Sequence, residues 1–317
     1  SIMEQKKLKH IAIECIEPNP ENPRIVFRQE ELDSLLVSIN KIGVQVPISV
    51  YQEGDKYFII DGQRRFLTCK KLNHKTIPAI VQDKPSELDN LLLMFNIHAL
   101  REQWDIFTIA MKIPRIKKLF RKRNGFDPTE SELSQETGLT RGTIRRCNMI
   151  IDLPERFKDL ILEELKKPKS KQTFSEDFFL EMERSLKTIK RRYPSFETRL
   201  DDARDILIEK YKTSVIPAIT DFRKLSKIAT APGNTGIDRN IAEKAIETAL
   251  FNINIGIQEI YENTVANKYN ERKFLLNVDN FAYYLENLTE EEIDDSEIKD
   301  ALVKIKSIID KLLIEED

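Results

Sequence analysis

The sequence predicts an α+β protein: a small mixed α/β domain, then an all-α domain built on two short helices and a turn, then a helical C-terminal region. Three observations predict it. Strand-like runs alternate with helical periods only from Ile11 to Val81. From Trp104 onward, apolar residues recur at helical spacing and strand signals are few. Charge also divides the chain: residues 91–170 hold 16 Lys and Arg against 11 acids, and residues 241–317 hold 8 against 18, within a formal net charge of −2. The expected domains are residues 4–92, 93–167 and 168–317.

Bulk properties exclude several classes. A chain of 317 residues that is 40% hydrophobic can bury more than one core, and at roughly 100–200 residues per domain it is expected to hold two or three. No apolar run reaches the ~18 residues of a membrane span, and the first residues lack the apolar core of a secretory signal. The expectation is a cytoplasmic protein with no membrane contact. Cys15, Cys69 and Cys147 share no ligand-like spacing with His10, His74 or His98, so the cysteines read as reduced, buried thiols and no metal site is assigned.

The elements follow in order. "IAIECI" (Ile11 to Ile16) alternates as a strand, and "PNPENPR" is a proline-locked turn. Glu30 to Lys41 places Leu32, Leu35, Leu36 and Ile39 on one helical face, closed by Gly43. "PISVY" and "KYFII", joined by "QEGD", read as a hairpin. A helix from Arg64 to Leu72 and a strand at "IPAIV" complete the domain.

Between the second hairpin strand and that helix lies "DGQRR". Amides at a helix start carry partial positive charge, a glycine lets an anion approach the backbone, and arginine adds fixed charge with several donors. Gly62, Gln63, Arg64 and Arg65 therefore form a candidate phosphate cradle. The alternative is a capped corner, with Asp61 as helix cap and both arginines facing water.

This order of features resembles the ParB N-terminal domain, the ParB/sulfiredoxin-like fold. "PNPENPR…F" resembles the family's Pro-Arg entry segment, "LLVSINKIGVQVPISV" its helix, glycine turn and proline-led strand, and "IIDGQRRF" its Gly-Glu-Arg-Arg box. The resemblance implies a site for CTP or another nucleoside triphosphate with Mg²⁺, contacted by Arg24, Gly62, Gln63, Arg64 and Arg65. A third box, seen here as "FNIHALRE", implies Asn96 and Arg101 as further contacts. The sequence departs from the family at Val46, where glutamine is usual, at Leu67, where a second-box arginine is usual, and at Phe95, which replaces an acid. Loss of that acid removes a hard oxygen ligand of the kind Mg²⁺ prefers and weighs against a CTPase activity. Sulfiredoxin chemistry needs a cysteine in the phosphate loop, where Gln63 stands. A nuclease or kinase on this fold would need clustered carboxylates, for which Glu21 and Asp61 are the candidates.

The middle region carries "WDIFTIAMKIPRIKKLFRKRNG", an apolar-periodic helix with Pro114 as kink or restart and a cationic end. "DPTESELSQETGLTRGTIRRCNMIIDLP" then has the spacing of a helix-turn-helix. Thr129 and Glu132 form a capping box, Gly138 the corner, and Thr140 caps a second helix that turns Ile144 and Met149 inward. In such a motif the outward residues at the start of the second helix face the major groove. These are Thr140, Arg141, Thr143, Arg145 and Arg146, able to bind phosphates and, through arginine, guanine. The segment also resembles the helix-turn-helix domain of ParB/Noc-type proteins.

After "KKPKSKQ" the chain reads as amphipathic helices broken near residues 231–236 by "APGNTG". Leu302, Ile305, Ile308 and Ile309 form a stripe expected to pack within the same chain, with a dimer seam as the alternative. The resemblance implies a homodimer on double-stranded DNA, serving partition or transcriptional regulation through a nucleotide switch. An adaptor whose acidic helical tail binds a protein partner is the third reading.

Overall fold

The computed structural model describes residues 6–22, 29–99, 101 and 104–314. The chain divides into two compact units, Ser1–Arg184 and Ser185–Asp317.

The first unit begins with a five-stranded mixed sheet. Its strands are β1 (Lys7–Ala12), β2 (Ile16–Glu17), β3 (Ile48–Glu53), β4 (Lys56–Asp61) and β5 (Thr76–Gln82), in the order β1-β5-β3-β4-β2. β1 runs antiparallel to β5, β3 antiparallel to β4, and the pairs β3/β5 and β2/β4 are parallel. The run expected as one strand, "IAIECI", is therefore two, parted by a 3₁₀ turn at Ile13–Cys15. The reason is topological: the turn carries the chain from one sheet edge to the other. Four residues reach at most ~14 Å, whereas four flat strand spacings need ~19 Å, so the sheet must curl to bring its edges together.

Helices α1 (Gln29–Ile42) and α2 (Gln63–Lys71) pack on the sheet. Alternation in the strands turns Ile48, Val50, Ile59, Ile77 and Ala79 into a core completed by Ile39 of α1 and Phe66 and Cys69 of α2. Gly43 closes α1 with a positive φ of 75°, its amide bonded to the Ile39 carbonyl. Of the thiols, Cys69 and Cys147 are buried and Cys15 is half-buried.

The remaining elements of this unit are helical: α3 (Glu87–Met94), a π-helical turn at Phe95–Ala99, α4 (Ile106–Asn124), α5 (Glu130–Thr137), α6 (Arg141–Ile151), α7 (Glu155–Lys166) and the first part of α8 (Glu176–Arg192), which runs on across the boundary between the units. α4 runs unbroken through Pro114. Proline removes one helical N–H, and the burial of Phe107, Ile109, Ile113, Ile116 and Phe120 outweighs that loss. Phe95 is fully buried and meets the edge of Trp104 at 4.9 Å, which gives this residue a core role.

At the start of α4, Asp105 caps the Thr108 amide at 2.7 Å, and Glu176 accepts the Phe107 N–H at 2.6 Å. Burial, reinforced by Asp105 and Asp177, pushes the Glu176 carboxyl up to about 7, against an opposing pull from the Phe107 N–H and Arg146. The folded chain holds this proton between the ordinary value of 4.5 and about 7, while the unfolded chain releases it. The associated stability is thus complete below the lower value and lost as pH rises through the upper one. Wild type is expected to lose on the order of 2–3 kcal/mol more than Glu176→Gln across that window in urea unfolding followed by circular dichroism. Parallel pH profiles would contradict this assignment.

The second unit contains α9 (Leu200–Lys212), α10 (Phe222–Thr235), α11 (Arg239–Phe251), α12 (Ile257–Thr264), α13 (Ala266–Glu286), α14 (Glu290–Asp294) and α15 (Ser296–Leu312). The break expected at residues 231–236 falls at its far end. α10 continues through Pro232 and Gly233, and Gly236 ends it at φ 73°. Buried Leu225, Ile228, Ala229 and Ala231 hold the helix past its breaker residues. Within this unit the Lys210 ammonium is wholly buried and donates to the carbonyls of Ala249 (2.6 Å) and Ile255 (2.7 Å). The stripe on α15 differs from expectation: no residue of that helix is buried, so Leu302, Ile305, Ile308 and Ile309 do not form core within the chain.

Candidate functional site

The turn after β4 is built around Gly62, which starts α2 at φ 103°, ψ 24°. Only glycine takes this conformation without strain, and space adds a second demand. A Cβ here would lie 2.6 Å from Ile48 Cγ2, inside the sheet core. The N-cap position of α2 falls on Gly62 and not on Asp61, which faces two arginines, so the corner differs from the capped alternative. The Asp61 Oδ2 lies 3.8 Å from both Arg65 and Arg101. A helix N-terminus beside a glycine is the backbone setting that a phosphate needs.

The two arginines of the box have different surroundings. The Arg65 guanidinium donates to the Val46 and Pro47 carbonyls, the latter at 2.8 Å, and ties the start of β3 to α2. Burial lowers its pKa, Asp61 raises it, and neighbouring Arg101 lowers it again. Arg64, one residue earlier, is half-buried at the same turn. Gln63 accepts a hydrogen bond from the Asn22 amide and so links the box to the entry segment.

That entry segment supplies Asn19, which sequence reasoning did not assign, and Glu21, which it offered only as a candidate catalytic or metal-binding carboxylate. Asn19 and Asn90 form a buried, reciprocal amide pair at 2.8 and 2.9 Å, and Asn19 Oδ1 also accepts the Glu21 N–H at 2.8 Å. Glu21 is buried and pairs with Arg115 of α4 at 2.6 Å, while Arg115 also binds Glu87 of α3. The segment is thereby fastened to α2, α3 and α4 together. One signal was available in the sequence: Asn90 interrupts the apolar run "LDNLLLM", and a polar residue at a core position requires a partner.

The expected contacts divide accordingly. Arg65 and Arg101 meet at Asp61, and Gly62, Gln63 and Arg64 follow it on the same turn. Asn96 is exposed on the π-helical turn. Arg24 lies outside the described residues. Among the described residues no three His, Cys, Asp or Glu side chains cluster as metal ligands would. Mg²⁺ bound with a nucleotide needs only one or two carboxylates, and Asp61 is the carboxylate at this turn.

A second group sits on α5 and α6. Thr129 caps α5 through the Glu132 amide at 3.1 Å, Gly138 turns the chain at φ 76°, and Thr140 caps α6 through the Thr143 amide at 3.1 Å. Ile144, Cys147 and Ile150 face inward, whereas Met149, expected inward, is only half-buried. The reason is the helical period: the 144/147/150 stripe fills the contact first, and Met149 falls at its margin. Arg141 and Arg145 are exposed and both pair with Glu130 of α5, at 3.1 and 3.0 Å. Arg146 approaches Asp177 at 3.9 Å, and the Thr140 and Thr143 hydroxyls are 2.9 Å apart. An open groove of about 740 Å³ beside α4, lined by Glu87, Arg115, Lys118, Arg121 and Lys122, adds a further cationic surface.

The sheet domain and the helix start after it lie within residues 2–96, which match the ParB N-terminal domain family. The chain carries a ParB N-terminal domain. Over 160 residues it is 32% identical to a nucleoid occlusion protein of Bacillus cereus (strain B4264), covering 50% of this chain and 52% of that one. Over 161 residues it is 30% identical to a probable chromosome-partitioning protein ParB of Pseudomonas putida, covering 50% and 53%. The chain thus spans about half the length of the curated relatives it matches. Two solved structures of C-terminally truncated ParB from Caulobacter crescentus are also similar. The one complexed to the centromeric parS site has a TM-score of 0.42 at 17% identity, covering 69% of this chain and 98% of that one. The one complexed with CTP-gamma-S has a TM-score of 0.28 at 23% identity, covering 50% and 86%. Among the described residues no helix is long and apolar enough to cross a membrane.

Proposed function

We propose that this chain is a ParB-like protein that binds double-stranded DNA through α6 and a nucleoside triphosphate, CTP-like in character, at the start of α2. It serves DNA partition or regulation, with two copies acting together and with 4–92, 93–167 and 168–317 as its functional divisions. The observation that carries the nucleotide reading is the Asp61 cluster: Arg65 and Arg101, from distant parts of the chain, converge beside an uncapped helix start at Gly62.

The residues divide the work by chemistry. Amides at the start of α2 donate to the phosphates, Gly62 permits their close approach, and Arg64 and Arg101 supply charge. Phosphates compete with Asp61 for Arg101, so binding draws the segment after α3 toward the turn. The Glu21–Arg115 pair ties the same entry segment to α4, which leads into α5 and α6. A nucleotide shifts the protein only as far as it prefers one arrangement of these parts. Phe95 occupies the core where the family has an acid, which supports binding without hydrolysis as the function of the site.

On α6, Arg141, Arg145 and Arg146 with Thr140 and Thr143 present the donors that a major groove and its phosphates accept. Calorimetry with a nucleotide panel tests the first half of this reading, and salt-dependent DNA binding tests the second.

A further inference from the structure

α4 carries more positive charge than its fold uses. Between Asp105 and Asp127 the chain holds seven lysines and arginines and no acid. Like charges at i, i+3 and i, i+4 destabilise a helix, and Lys118 stands in both relations, to Arg121 and to Lys122. The helix dipole accounts for the cations of the last turn, Arg121, Lys122 and Arg123, but not for those before it.

The faces of the helix separate these charges by task. Arg115 and Arg123 turn toward α3 and the entry segment, where Arg115 pairs with Glu21 at 2.6 Å and also with Glu87, and Arg123 pairs with Asp89 at 3.2 Å. Pro114, Lys118, Arg121 and Lys122 are exposed on the side turned away from buried Ile113, Ile116 and Phe120, and they line the open groove beside α4. Among the described residues Lys118 and Lys122 form no ion pair or hydrogen bond, and Arg121 has Asp127 alone, at 3.9 Å. Glu87 is the one acid of the groove lining, and it is already engaged: the Arg115 hydrogen bond holds its carboxyl below the ordinary value, with a further pull from Lys122 and Lys118.

Position and spacing identify the anion that suits this face. α4 packs against α6, and Phe120 meets Phe126 edge-on at 6.2 Å, which holds the cationic end of α4 to the loop that leads into α5. The first helix of a helix-turn-helix crosses the DNA backbone, so a cationic end fixed at the start of that helix adjoins the phosphates flanking the bases. Lys118 and Lys122 stand one turn apart, about 6 Å along the axis, within reach of successive phosphates of one strand. Pro114 and Leu119 are the only apolar side chains in the lining, too little for the apolar centre of a protein interface.

We infer that the outward face of α4, formed by Lys118 and Lys122 with Arg121, is a second contact for duplex phosphates beside α6. The lysines hold backbone and read no base, so this contact adds affinity without sequence preference. The inference rests on the DNA reading of α6 and is independent of the nucleotide site.

The test uses the full chain in fluorescence anisotropy at several salt concentrations, with two labelled duplexes of equal length: a fragment enriched by the protein from genomic DNA, and its scrambled sequence. Lys118→Ala with Lys122→Ala is expected to weaken binding to both duplexes at least tenfold and by the same factor, and to flatten the dependence of log K on log salt by about 1.8, near 0.9 per contact. Lys118→Arg with Lys122→Arg keeps the charge and the wild-type affinity. Lys70→Ala with Lys71→Ala removes equal charge from the exposed far end of α2 and leaves affinity within twofold. Bound DNA shields Lys118 and Lys122, and not Lys70, from an acetylating reagent, as read by mass spectrometry. A Lys118 and Lys122 variant that binds like wild type overturns the α4 contact and leaves α6 in place. A loss confined to the enriched fragment, a loss matched by the Lys70 and Lys71 variant, or acetylation of Lys118 and Lys122 unchanged by DNA overturns it as well. A wild type that binds neither duplex overturns the DNA reading as a whole.

Discussion

Gly62→Ala abolishes nucleotide binding and destabilises the sheet domain by on the order of 2–4 kcal/mol. Two independent causes add. The backbone at φ 103° is strained for any residue with a Cβ, and that Cβ would meet Ile48 Cγ2 at 2.6 Å. Ile48 is completely buried between β5 and β4 and cannot move aside without opening the core. Relief by backbone rotation would swing the α2 amides away from the position a phosphate occupies. Urea unfolding measures the stability term and titration calorimetry the binding term. Wild-type affinity and stability in the variant would show that neither constraint acts.

Arg141→Ala combined with Arg145→Ala lowers DNA affinity by on the order of 10²–10³-fold. If both contact phosphates, the dependence of log K on log salt also flattens by about 1.8, near 0.9 per contact. Both side chains are exposed and share Glu130 in the free protein, so DNA must displace that carboxylate. Glu130→Gln therefore acts in the opposite direction, strengthening binding several-fold by removing the competitor. Fluorescence anisotropy on an enriched DNA fragment at several salt concentrations checks both. Unchanged binding in the double variant would remove α6 from the interface.

Much of this architecture was written in local chemistry. Thr129, Gly138 and Thr140 marked their helix ends because each acts on its own neighbours: a hydroxyl on an amide three residues on, or a glycine free to turn. The hairpin at "QEGD" was legible for the same reason. What was hidden depends on distant partners. Alternation in "IAIECI" fixes which side chains face inward but not which strand each half pairs with, so the crossing at Ile13–Cys15 was invisible. Pro232 and Gly233 read as a break because their local cost is plain, while the packing that overrides it is tertiary. The same division holds at the site. The turn at Gly62 could be read from five residues, but the Asn19–Asn90 pair and the Glu21–Arg115 pair join positions far apart in sequence. Conversely, α13 and α15 carry apolar residues at helical spacing, yet no residue of either helix is buried.

The central claim is that the start of α2 is a nucleotide site coupled to DNA binding. Titration calorimetry of the full chain with CTP, ATP, GTP and UTP plus Mg²⁺, with and without an enriched DNA fragment, tests it most directly. The account predicts saturable binding of one triphosphate, strongest for CTP, altered by DNA and weakened at least tenfold in Arg101→Ala. No heat of binding for any of the four, with or without DNA, from protein that still binds DNA would contradict it.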